Sequence, residues 1–535
     1  MKQRLLLTAF MLLAAVAGWA DVEINETNFP DDTFRNCVSA FDLNADGKLA
    51  DSEIKKVTAI NVYNQEIKNL KGIEFFTELT SLRCWENEVT ELDLSNNPKL
   101  KLLSCWNNQL KRLNVSKCQE LTELYCNQNQ LTELDVSNCT KLDTFYCWQN
   151  QIETLDVTNC SRLKRLSCGW NNLTELDVTK CPQLELLYCH TNQITALDLS
   201  KCTQLNNLEC EKNQLTELDV RKCTELDSLY CYENNITALD VSNCKKIKKL
   251  YCYSNQLTEL NVSGCTELTV LSCYNNQLTK LNVSGCTKIQ TLYCCTNQLT
   301  ELDVSGFTAL TVLYCYTNLL TKLDLSGCTK IQTLYCHENQ LSELNVSGCA
   351  AIAELYCYTN QLTMLDVSGC AAMTILYCYG NKIASLDLSN NVNLVECRCQ
   401  RNELTRLKSC SNGKLTAIYG TQNRLTGAAV DELIASLPAQ QSAFITAINT
   451  DKADLEKNVF TKEQVAAANA KGWTVYHLLN ENWAVYEGNE DPDAIVSPLG
   501  ETVEGAVIFD LSGRRVEKPQ KGIFIRNGRK VTVNR

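Results

Sequence analysis

The sequence predicts an α/β solenoid with a continuous parallel β-sheet on one face. Counting by 21 from Cys84 gives an unbroken column of 16 cysteines that ends at Cys399. Three residues after each stands an asparagine, from Asn87 to Asn402, and one further step reaches Asn423. Around each cysteine, inward and outward residues alternate, as Leu124 and Cys126 do against Glu123, Tyr125 and Asn127. A fixed period of this length means a coil in which each repeat is one turn. The alternation marks a half-buried strand, and stacking the turns pairs those strands in parallel. Around the coil we expect a small helical N-terminal cap, an α/β C-terminal cap and a small β C-terminal module.

Residues 1–20 read as a secretory signal peptide. Lys2 and Arg4 precede an apolar run from Leu5 to Ala17, followed by Gly18-Trp19-Ala20. The run is too short to span a bilayer as a helix. No cysteine follows it, which argues against a lipid-anchored form. No other apolar stretch approaches the ~18 residues a membrane span needs, so no transmembrane segment is expected in the mature chain. A net charge of −12 and a pI near 5.1 argue against a nucleic-acid partner. The expected place is outside the cell, secreted or on the surface.

Residues 21–56 are expected to form the helical cap. Phe34, Val38 and Phe41 recur at helical spacing ahead of a loop at 42–53. Asp42, Asn44 and Asp46 offer side-chain oxygens, and Gly47 permits a sharp turn. Lys48 offers its carbonyl, Ala50 acts through water, and Glu53 closes the loop with both oxygens. This loop resembles that of the EF-hand, which implies bound Ca2+. Its expected role is structural, because a solenoid end exposes core and must be covered.

The coil is expected over 57–425. One turn reads Leu121-x-x-Leu124-x-Cys126-x-x-Asn129-x-Leu131-x-x-Leu134-x-Val136-x-x-Cys139. The frame resembles the leucine-rich repeat, with cysteine where a strand leucine usually stands. Val57, Ile60, Val62 and Ile67 make a degenerate first turn and Leu415, Ile418 and Leu425 a last one, for about 18 turns. Asn129 and its equivalents sit where the chain bends away from the strand. An amide there can bond bend groups that the ladder leaves unpaired. The segment 134–137 alternates again and is expected to make a short extended piece on the opposite side. Cysteine-rich repeats of 21 residues are similar to those of the internalin group of bacterial surface proteins. That resemblance implies a right-handed solenoid that presents its strands to host molecules. This chain departs from the group in a second cysteine column and in its C-terminal end.

The second column holds 12 cysteines between Cys118 and Cys370, with Phe307 in one rung and Asn97 and Asn391 at its ends. Replacement by Phe or Asn says that the site does not require a thiol. Disulfides, metal binding and packed free thiols are all open to a secreted, cysteine-rich chain. Packed thiols are the expectation. Side chains on in-register rungs point the same way, which makes the disulfide dihedral hard to reach. A single file of ligands does not make a tetrahedron.

Aromatic residues flank the first column on its outward side. Before the cysteine stand Tyr125, Tyr146, Tyr188, Tyr230, Tyr251, Tyr293, Tyr314, Tyr335, Tyr356, Tyr377 and Tyr419. After it stand Trp85, Trp106, Trp148, Tyr232, Tyr253, Tyr274, Tyr316, Tyr358 and Tyr379, with His190 and His337. Trp170 lies one position further along its turn. These two columns hold 17 of the 20 tyrosines, so they are expected to line a binding face. The alternative is that the rings stack across strands and only stabilise the sheet.

From Gly427 the period stops. Residues 426–486 are expected to be an α/β end cap: helices at 428–437 and 461–470, and strands at 443–449 and 473–478. Residues 487–494 read as an acidic linker and 495–535 as a small β module. In that module Asp510-Leu511-Ser512-Gly513-Arg514 and Lys521-Gly522-Ile523-Phe524-Ile525 precede a basic end. The segment resembles the C-terminal sorting segment of type IX secretion in the Bacteroidetes, which implies delivery to the cell exterior.

No catalytic constellation emerges, so no enzyme is expected. There are only three histidines, and His190 and His337 stand seven rungs apart. Asp135, Asp156 and Asp177 form a row better suited to turn bonding than to acid–base work. The expected function is a secreted or cell-surface bacterial adhesin that recognises an extracellular protein or glycan through the aromatic face. The alternative is a structural spacer or cell–cell adhesion element without a dedicated ligand.

Overall fold

The computed structural model describes residues 21–411 and 413–490, and beyond them the backbone of four short strands between 508 and 533. The signal peptide expected at 1–20 lies outside the described residues. The chain divides into two compact units, one ending at Cys265 and one beginning at Thr266.

The N-terminal unit opens with strand Val22–Glu23, antiparallel to Lys48–Leu49. Helix Asp32–Val38 starts where the Asp31 carboxylate accepts the Phe34 N–H at 3.0 Å. Phe29, Phe34, Val38, Leu49 and Phe76 are fully buried and make the core of the cap. Ten three-residue strands follow, from Ala59–Asn61 to Lys249–Tyr251, each parallel to the next. Within a strand the central residue is buried, as Leu124, Phe145 and Leu166 are, and identical positions pair across rungs.

The C-terminal unit holds eight more such strands, from Val270–Ser272 to Ala417–Tyr419. Its end cap extends the same sheet. Ala443–Asn449 pairs parallel with the last of these strands, and Trp473–Leu479 pairs parallel with Ala443–Asn449. Helices Ala428–Ser436 and Lys462–Ala470 join them. Thr461 caps the second helix in a reciprocal bond with Gln464. Trp473 is fully buried and its Nε1 donates to the Pro438 carbonyl at 2.8 Å. The elements expected from sequence are found within a residue of their expected ends, with one addition. Strand Asn482–Val485 folds back antiparallel on Trp473–Leu479. The C-terminal module is a four-stranded antiparallel sheet in the order 515–516, 508–509, 522–526, 529–533.

The return side of the turns carries few regular elements. Some turns form short parallel pairs there, such as Glu91–Asp93 with Arg112–Asn114 and Lys322–Asp324 with Glu343–Asn345. Between them the row of aspartates closes turns: the Asp135, Asp156 and Asp177 carboxylates accept N–H bonds from the residue two positions on, at 2.8–2.9 Å. No described helix is long and apolar enough to cross a membrane.

Three ladders hold neighbouring turns together. The asparagine at each bend is a staple. Asn108 Nδ2 donates to the carbonyl of Cys84 in the preceding turn at 2.9 Å and of Cys105 in its own at 3.2 Å, while its Oδ1 accepts the Val89 N–H at 3.0 Å. The residue before each asparagine is left-handed, with φ of +52° to +57° at Glu86, Asn107, Gln128 and Gln149. The cysteines fill the space behind the strands. Apart from half-buried Cys37, all are buried free thiols. In the second column the thiols lie near main-chain carbonyls of the preceding turn, as Cys118 does at 3.5 Å from Leu94 O. Asn391 takes the same place at a column end and donates to Val367 O at 2.9 Å and Cys370 O at 3.0 Å. At this rung the Asn391 amide makes the bonds to the preceding turn that the thiols approach elsewhere, whereas buried Phe307 fills its rung by packing alone.

Candidate functional site: the strand face

Each strand presents three outward side chains, and the aromatic columns occupy the second and third. In-register pairing sets successive rungs ~4.8 Å apart, close to the spacing of stacked rings. The structure therefore converts the columns into stacks. In the C-terminal unit Tyr314, Tyr335, Tyr356 and Tyr377 follow one another at 4.4, 4.3 and 4.5 Å between centroids, with Tyr293 tilted against Tyr314 at 4.8 Å. Beside them Tyr316, His337, Tyr358 and Tyr379 stack at 4.5, 4.2 and 4.4 Å. Tyr274, part exposed, opens that second column.

Stacking changes what the face offers. The column tyrosines and Trp85, Trp106 and Trp148 are only partly exposed, and where rings stack each covers the next. Within the stacks the ring faces cover one another, as the alternative of cross-strand stacking expects, and it is the ring edges and hydroxyls that remain open. Several hydroxyls are tied down by the first outward position. Tyr335 donates to Glu354 at 2.6 Å, Tyr377 to Glu396 at 3.0 Å and Tyr125 to Glu123 at 2.9 Å. Burial and the neighbouring carboxylate push the Tyr125 and Tyr377 phenols up to about 12, so the face carries neutral donors.

Two residues extend the stacks beyond those expected. The guanidinium of Arg398 lies between the rings of Tyr377 and Tyr419, 4.5 and 4.7 Å from their centroids. It fills the rung where tyrosine is missing and pairs with Glu396 at 2.6 Å. In the N-terminal unit Tyr63 stacks on Trp85 at 4.3 Å, and Trp85 on Trp106 at 5.9 Å. Tyr63 escapes a count by 21 because the first interval is longer: Ile60 pairs with Leu82, a step of 22. At 48% exposure it is more open than any column tyrosine that the count finds.

Elsewhere in that unit Tyr125 meets Tyr146 edge to face at 5.4 Å. Tyr230 stacks on Tyr251 at 4.8 Å and Tyr232 on Tyr253 at 4.3 Å. Trp170 stands apart from the columns. It is the left-handed residue of its bend, 55% exposed, with its ring edge-on to His190 at 6.4 Å. Between Tyr188 and Tyr230 the columns are broken by Glu209 and Glu211. Ligand atoms of His190, Glu209 and Glu211 all lie within 4.8 Å of one another. Burial pushes the Glu211 carboxyl up to about 7, raises that of Glu209 and lowers the His190 imidazole. Sequence reasoning passed over these acids because it followed the aromatics and not the gap between them.

At the cap, the 42–53 loop is folded around its own oxygen acceptors. Gly47 has φ +80°, and Asp42 and Asp46 accept the N–H groups of Gly47 and Lys48 at 2.8 and 3.0 Å. The Asn44 amide oxygen accepts the Asp46 N–H at 3.1 Å. Glu53 is buried, and its two oxygens accept the N–H groups of Leu43 at 2.7 Å and Ala50 at 2.9 Å, which aims the carboxylate into the loop.

Comparison with known proteins agrees with the repeat architecture. No family model matches the chain. Internalin J of Listeria monocytogenes is 39% identical over 70 residues, which is 13% of this chain and 8% of that protein's length. Among solved structures, the functional domain of InlJ from Listeria monocytogenes, which includes a cysteine ladder, is 32% identical with a TM-score of 0.56, over 76% of this chain and 82% of that one. YopM from Yersinia enterocolitica is 21% identical with a TM-score of 0.53, over 82% and 91%. A leucine-rich-repeat protein of Leptospira interrogans is 22% identical with a TM-score of 0.50, over 66% and 92%. The last two share the fold.

Proposed function

We propose that this chain, which belongs to the internalin-like leucine-rich-repeat proteins, is an extracellular bacterial binding protein that holds a protein or glycan on its strand face. The observation that carries this reading is the concentration of aromatic edges and neutral hydroxyls on one face, with Tyr63 and Trp170 projecting from it. Tyrosine and tryptophan give large contact area at low entropic cost, and their polar tips supply direction. The signal-like segment 1–20 and the sorting-like segment 495–535 support delivery to the cell exterior. Calcium in the 42–53 loop would stiffen the cap at the N-terminal end of the coil.

Retention of the purified chain on extracellular-matrix proteins or on a glycan array tests the reading. Tyr232→Ser with Tyr253→Ser should abolish that retention while the protein stays folded.

The ring-on-ring stacks favour a second reading, a spacer whose tyrosines serve the sheet. Under it, the same double variant melts markedly lower, and neither protein nor glycan retains the parent chain.

A further inference from the structure

The break in the aromatic columns is itself built. His190 and Glu211 occupy the third outward position of adjacent rungs, and Glu209 the second, so all three project from one face. One ligand atom from each lies within 4.8 Å of the other two. Glu211 is 8% exposed, and its Oε2 has no hydrogen-bond partner. Its Oε1 receives the Tyr232 hydroxyl, at 3.5 Å. The one cation of that bend, Lys212, lies 4.0 Å from Glu233. A buried carboxylate oxygen with nothing bonded to it is costly, and it persists where something else satisfies it. Gly169 makes the second contribution. It stands below His190 in the same column, and a Cβ there would come within 2.8 Å of His190 Nε2. In other turns this position carries Trp106, Trp148 or Tyr232, any of which would exclude the imidazole from its present place.

We propose that His190, Glu209 and Glu211 bind a divalent transition-metal ion of the zinc class on the strand face. One imidazole and two carboxylates are a nitrogen–oxygen donor set suited to Zn2+, Co2+ or Mn2+, whereas Ca2+ and Mg2+ prefer oxygen alone. Three protein ligands leave coordination open to water or to a donor atom of a partner. The site stands apart from the binding reading: an ion can seat here whether or not the tyrosines hold a ligand.

Titration of the full chain with Co2+, in calcium so that the 42–53 loop is filled, tests the proposal by visible absorption. One equivalent should bind, giving d–d bands without a sulfur-to-cobalt charge-transfer band. Glu211→Gln and Gly169→Ala should each weaken binding at least tenfold. His190→Tyr restores the residue common in the column, so it should keep the fold and lose the ion. A sulfur charge-transfer band would assign the metal to cysteines and overturn the proposal. Equal binding by the parent chain and His190→Tyr, or no binding by the parent chain below millimolar Co2+, would overturn it as well.

Discussion

The imidazole of His337 lies flat on the ring of Tyr358, 4.2 Å between centroids and 15° between planes. Tyr316 covers its other face at 4.5 Å, and its Nδ1 is buried without a partner. Burial pulls its pKa down to about 4, against a weaker opposing pull from Glu338. Between pH 6.5 and 4 the unfolded chain therefore takes up a proton that the folded chain refuses. Stability is full above pH 6.5 and falls as pH drops through that window. The loss should be about 1–2 kcal/mol, once the attraction of a charged ring for two phenols is set against burial. His337→Tyr should flatten this part of the profile, measured as the difference between the two proteins in denaturant melts at pH 7 and pH 4.5. Parallel profiles would refute it.

Asn339 is 8% exposed and joins two turns by four bonds. Its Oδ1 accepts the Leu320 N–H at 3.0 Å, and Nδ2 donates to the carbonyls of Cys315, Cys336 and His337 at 3.0, 3.1 and 3.2 Å. Asn339→Ala strands these main-chain groups in a dry bend and should cost about 2–4 kcal/mol. Amide exchange at Leu320 should accelerate first. Unchanged exchange there would show that the staple is dispensable.

Thr296 sits at the left-handed bend position with φ +52°, a conformation unfavourable for a β-branched residue. Gly380 fills the equivalent place four turns on, at φ +66°. Thr296→Asn should stabilise by about 0.5–1 kcal/mol, because asparagine tolerates this region. A higher Tm is the readout, and an unchanged or lower one counts against bend strain.

Burial raises the column thiols, Cys84 to about 12, so they resist ionisation and remain unreactive. Cys37 alone is partly exposed. Alkylation of the native protein near pH 8 should add one label, at Cys37, whereas the denatured chain should take up to 32. Resistance of the denatured chain would reveal disulfides instead.

Glu53 turns its carboxylate into the 42–53 loop. Glu53→Gln should weaken calcium binding more than tenfold and remove any rise in melting temperature that calcium gives. Identical melting of the parent chain in calcium and in chelator would exclude a structural ion.

The repeat, its register, the buried cysteines and the end-cap elements were legible because a period fixes them without reference to anything distant. The sharp bend at Gly47 was legible for the same reason, since its pattern is local. Other features depend on what one rung does to the next. That Tyr314, Tyr335 and Tyr356 cover each other follows from ring orientation, which no count of residues contains. Tyr63 was hidden by one extra residue in the first interval. Arg398 continues a tyrosine stack by charge, so a search for aromatic residues passes over it. Glu209 and Glu211 looked like gaps until the fold set His190 beside them. Strand Asn482–Val485 forms because Trp473–Leu479 offers it an edge, which is tertiary context.

The asparagine staple has a consequence for how such a chain can change length. Each amide reaches one turn back and no further, so within each unit the staple repeats the same bonds from turn to turn. Removing or duplicating a whole 21-residue block restores all of them at the seam. Removing a single residue breaks them on both sides. Recombination between repeats can therefore lengthen or shorten the chain in whole-block steps, and the spacing of any two surface features becomes an adjustable quantity.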